Sequence, residues 1–85
     1  MTTHAFTVTL TDAPAGFPES HADALFDAFG GDVGPAVSNG QALLDCAVEG
    51  ASLVAAVSDV LRVADRLGLT VDHVEVPAAE FRAAA

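Results

Sequence analysis

Eighty-five residues hold one domain, and a chain this short buries only ~60% of the surface its unfolded form exposes. Twelve acids against three cations give a net charge of −9 and a pI near 4.2, a field that repels phosphate backbones and offers no basic anchor to an anionic membrane. The lone cysteine, Cys46, excludes an internal disulfide and a CxxC metal site, which fits a reducing, cytoplasmic setting.

The hydrophobic fraction is 52% and the mean hydropathy +0.46, yet there are five Phe and no Trp or Tyr, so the core must be built from small and β-branched groups. Phe6, Val8 and Leu10 alternate with Thr7, Thr9 and Thr11, the period of a half-buried strand, with His4 lying before it. Pro14 and Gly16 break the strand. Pro18 and Glu19 then suit the first turn of a helix, on which Ala22, Leu25, Phe26 and Phe29 share one face, and Gly30-Gly31 closes it. Residues 32–38 read as an edge strand, because Pro35 removes a ladder donor. Asn39-Gly40 supplies the positive φ angles of a type I′ hairpin turn into residues 41–48, where Ala42, Leu44 and Cys46 face inward and Leu43, Asp45 and Ala47 outward. Ser52 caps a second helix over residues 53–67 that stops at Gly68. Its core stripe is Leu53, Val57, Val60, Ala64 and Leu67, flanked by Val54 and Leu61. Residues 70–76 form the last strand, with Val74 and Val76 inward, and Pro77 stops it.

This order is strand-helix-strand twice. It predicts an α+β fold, a ferredoxin-like βαββαβ two-layer sandwich: a four-stranded antiparallel sheet in the order 4-1-3-2 with two helices on one face. The domain spans residues 1–77, and residues 78–85 are a short alanine-rich C-terminal tail that docks as a short helix or frays. Residues 1–12 lack a charged stretch leading into an apolar run, so no signal peptide is expected, and no segment approaches the ~18 apolar residues of a membrane span.

The fold leaves activity open, and the residues that carry chemistry do not converge. Strand alternation sends His73 and Glu75 one way and Asp72 the other, so no four-ligand zinc site forms. Cys46 faces inward, where a thiol behaves as a small hydrophobe. There is no GxSxG nucleophile elbow. The loop of residues 13–16 has neither the Arg nor the Asn that acylphosphatase-like chemistry on this fold would want. Neither metal, cofactor nor catalytic residue is therefore expected. RNA readout on an open sheet needs aromatics and basic neighbours, whereas the outward residues here include Thr7, Thr9, Leu43 and Asp45. That mostly uncharged face can pack on a protein partner or a second copy. Glu19, Asp23 and Asp27, at i, i+4 and i+8, form an uncompensated acidic ridge that costs ~0.2–0.5 kcal/mol per pair and can meet a basic partner.

The segments around Ala24-Leu25-Phe26-Asp27-Ala28, Leu44-Asp45-Cys46 and Ala51-Ser52-Leu53 resemble those of a group of small bacterial proteins common in actinobacteria. The resemblance covers about residues 6–76. In that group the domain often precedes a helix-turn-helix. Here nine residues follow Val76, Cys46 replaces the usual Phe, and Val48 stands where Arg is common. The resemblance brings no catalytic residue. It implies a regulatory or accessory module, antitoxin-like or immunity-like, that self-associates or binds a protein. Two alternatives are a small-molecule-sensing regulatory domain, with its ligand near residues 13–16 or at a dimer seam, and an acidic mimic of DNA.

Overall fold

A computed structural model describes the backbone of residues 2–11 and 19–84, and the side chains of residues 2–11 and 21–82. The chain runs β1 (Thr2–Leu10), α1 (Glu19–Phe29), β2 (Val33–Ser38), β3 (Gln41–Gly50), α2 (Leu53–Arg66), β4 (Val71–Glu75) and α3 (Ala78–Ala84). The strands form one antiparallel sheet in the order β2-β3-β1-β4, with β1 and β3 central. The architecture is α+β, an open sheet layered against helices. The segment of residues 13–16 lies outside the described residues, as does Pro18.

Period-two patterning sets which side of the sheet is covered. Phe6, Val8 and Leu10 of β1 and Ala42, Leu44, Cys46 and Val48 of β3 are buried on one side, in register Phe6↔Cys46 and Val8↔Leu44. Leu25 of α1 and Ala56 and Val60 of α2 join the same cluster, so both helices lie on that side. Each large apolar side chain so buried contributes ~1.5–3 kcal/mol.

Local signals place the turns. Asn39 and Gly40 have φ of 53° and 74°, the two positive values of the I′ hairpin that pairs Ser38 with Gln41. Ser52 is extended (φ −152°, ψ 164°), and its hydroxyl accepts from the Ala55 N–H at 3.1 Å. At the other end of α2, the N–H of Gly68 (φ 77°) donates to Asp65 and that of Leu69 to Ala64, the paired bonds of a Schellman stop.

Four details differ from the sequence reading. β1 begins at Thr2, so His4 lies inside the strand, 7% exposed on the core side. Its partner strand also runs on to Gly50, and the ladder extends to Thr2↔Gly50. Phe26 is 63% exposed. The buried stripe of α1 is centred on Leu25, and Phe26 stands about 100° round the helix, folded over Gly31. On α2 the fully buried line is Ala56, Val60 and Ala64, while Val54 is exposed and Leu53, Val57 and Leu67 are half-buried flanks. Small alanines at the line of contact let the helix approach the sheet closely. The C-terminal tail is helical, one of the two outcomes the sequence reading gave it. α3 packs by β1, with Glu80 Oε1 3.1 Å from His4 Nδ1, while His4 Nε2 is buried without a hydrogen-bond partner among the described residues.

Candidate interaction surface

The side of the sheet away from α1 and α2 carries the alternate residues of every strand. Thr3, Ala5, Asp45, Ala47 and Glu49 are exposed there, and Thr7, Leu43 and Ala36 are half-buried. A shallow concavity of ≈ 470 Å³ crosses this face from Pro77 over Ala5 and Thr7 to Asp45, Ala47 and Gly34. Its surface is small and mostly uncharged, with carboxylates at the margins. Of the four face residues expected to meet a partner, Asp45 is exposed and Thr7 and Leu43 are half-buried. Thr9 is a correction: it is 7% exposed. Thr9 pairs with Leu43 on one side and His73 on the other, at the level where three strands overlap, so its side chain is enclosed.

β4 also departs from simple alternation. Thr9 pairs with His73 and Leu10 with Val71, so Asp72 is the extra residue of a β-bulge. The bulge turns Asp72 to the same side as its neighbour. His73 Nδ1 lies 2.7 Å from Asp72 Oδ2 and Nε2 lies 2.9 Å from Glu75 Oε1. The sequence reading that separated Asp72 from His73 is thereby corrected. Both ring nitrogens can donate only in the imidazolium, and the hydrogen bonds to Glu75 and then Asp72 raise the His73 pKa above its ordinary value. The trio is solvent-exposed. Among the described residues no group of three or more His, Cys, Asp and Glu side chains is placed to hold a metal ion.

Cys46 is buried, with Sγ 3.5 Å from the Leu44 carbonyl. Burial, reinforced by the charge of Asp45, pushes its pKa up to about 12, so the thiolate needed for nucleophilic work is not formed near neutrality.

The acidic ridge of α1 and the edge of β2 lie apart from this face. On α1, Asp23 and Asp27 are exposed as the ridge required, while the side chain of Glu19 lies outside the described residues. The β2 edge is blunted. Asp32 O accepts from Ala47 N, so Asp32, Gly34 and Ala36 turn their backbone groups to β3, whereas Val33, Pro35 and Val37 turn theirs to solvent. Pro35 therefore sits where an added strand would need an N–H, a common way of protecting an edge. The bulge and the carboxylates of β4 protect the opposite edge in the same manner.

No protein-family model matches the chain, and neither a curated protein nor a solved structure matches it. Function therefore rests on this geometry alone.

Proposed function

We propose that this is a ferredoxin-like, non-enzymatic interaction module that binds a basic protein partner through the bare side of its sheet, in a regulatory or accessory role. The observation that carries the reading is the combination on that side of small uncharged side chains with bordering carboxylates. Ala5, Thr7 and Ala47 leave room for close approach, and Asp45, Glu49 and Glu75 border them. A second copy is the poorer occupant. The chain carries −9 and only three cations, so two identical faces would oppose Asp45 and its neighbours. Two of those cations, Arg62 and Arg66, belong to α2 on the covered side, and Arg62 is already paired with Asp59 at 3.2 Å.

The experiment is partner capture from the native host with wild type, Asp45→Arg, Ala47→Arg and the double variant Asp23→Lys/Asp27→Lys. All four sites are exposed, so unchanged melting temperatures are expected. Loss of the partner in the two face variants, with retention in the ridge variant, supports the reading. Retention in both face variants overturns it.

A further inference from the structure

We propose that His73 makes the attraction of the bare side for a basic partner depend on pH, weak while its ring is protonated and stronger once the proton has left. This rests on the interaction reading above and gives that surface a control.

The place of the ring decides what its proton controls. Thr9↔His73 and Thr7↔Glu75 are cross-strand pairs, and Val8↔Val74 between them packs into the core. His73 and Glu75 therefore stand on the bare side, at its β4 margin. The bulge brings Asp72 beside them. The ring bridges the two carboxylates, with Nδ1 2.7 Å from Asp72 Oδ2 and Nε2 2.9 Å from Glu75 Oε1.

Imidazolium donates to both oxygens. A neutral ring keeps one N–H and turns a lone pair toward the other carboxylate. Loss of the proton to solvent thus frees one carboxylate and takes the trio from a net −1 to −2. Among the described residues neither carboxylate has an arginine partner, so no second cation masks the change.

The neighbouring elements leave this margin to the ring. β1 presents Thr7 and Thr9, which carry no charge. β3 presents Leu43 beyond Thr9 and Asp45 beyond Thr7, and β2 follows with Ala36 and Gly34. α1 and α2 lie on the other side of the sheet, and Glu80 of α3 meets His4 on that side too. Asp45 is therefore the one further charge on these two rows, and it adds to the freed carboxylate. The hydrogen bonds to Glu75 and then Asp72 hold the imidazolium, so the change of charge falls above the ordinary ~6.5.

The attraction for a cation then rises with pH, and by linkage a bound cation must favour proton loss from His73 by the same factor. One unit charge about 6 Å from a bound ammonium changes its affinity about threefold in ~10 mM salt.

The test measures binding of a fluorescein-labelled octalysine peptide to the full chain in low salt, for wild type and for His73→Gln at this exposed position. Across the His73 titration followed by NMR, wild type should gain about threefold in affinity beyond any change shown by the variant. Saturating peptide should lower the His73 midpoint by about half a pH unit, the same threefold read from the proton's side. A midpoint unmoved by bound peptide overturns the proposal, as does an equal pH dependence in His73→Gln. If the amides of Asp45 and Ala47 respond to the peptide in either case, the face reading stands and only its control by His73 fails. An octalysine peptide that binds at no pH also overturns the proposal, and partner capture with Asp45→Arg and Ala47→Arg then decides the face reading separately.

Discussion

Gly50 ends β3 under the first turn of α2, and an alanine there tests how closely that helix approaches the sheet. An added Cβ would lie 3.3 Å from Ala56 Cβ, 3.3 Å from Ala56 N and 3.3 Å from Ser52 O. Two of those atoms are backbone within a capped first turn, so they cannot move aside as a flexible side chain could. Overpacking of this kind costs ~1–3 kcal/mol, which for a domain of this size lowers Tm by roughly 5–20 °C. Gly34 supplies the control. It lies in β2, a Cβ there meets nothing within 4 Å, and neither glycine has a positive φ. Gly34→Ala should therefore stabilise by ~0.4–1 kcal/mol, because it removes freedom from the unfolded chain. Paired thermal melts followed by circular dichroism read both. If Gly50→Ala melts no lower than wild type, α2 does not rest on the end of β3 as described, and the packing argument fails.

Ser52→Ala removes the hydroxyl that accepts from Ala55 N and should cost ~1 kcal/mol in urea unfolding. Gly68→Ala forces a Cβ into the left-handed region at φ 77° and should cost about 1–2 kcal/mol in the same assay; no loss would contradict the Schellman stop. In an NMR pH titration His73 should titrate above its ordinary value, and Glu75→Gln should bring it down more than Asp72→Asn, following the order of the two hydrogen bonds. The sign follows from the raised folded pKa. Any stabilisation from imidazolium is complete below the unfolded pKa of ~6.5 and fades as pH rises through the folded value. Cys46 should resist iodoacetamide at pH 8 in the native state and react on unfolding, and rapid native labelling would contradict its burial and raised pKa.

Much of the fold was legible because its punctuation is local. Asn39-Gly40, Ser52 and Gly68 impose their geometry through their own backbone and side chains, and Pro35 restricts its strand to an edge wherever the other elements lie. Alternation in residues 6–10 and 41–48 likewise assigned the covered side. What the sequence hid depends on rotation and register. The roll of α1 decides that Leu25 rather than Phe26 is central, and that roll is set by its packing on β2. The choice of Ala56 over Leu53 and Val57 at the centre of α2 reflects how closely the helix approaches the sheet. The bulge at Asp72 exists only in the pairing of β4 with β1, so no pattern within residues 71–75 announces it, and the contact with His73 was missed with it. Thr9 looked like its neighbour Thr7, but its place between Leu43 and His73 closes it off.

The central claim is that the bare side of the sheet is the working surface. Hydrogen-exchange footprinting of the complex with the partner recovered from the native host tests it most directly. Protection gathered on β1 and β3, at Thr3, Ala5, Leu43, Asp45 and Ala47, with the exposed faces of α1 and α2 unchanged, is the predicted result. Protection centred on Asp23, Phe26 and Asp27 of α1, with β1 and β3 untouched, would contradict the account.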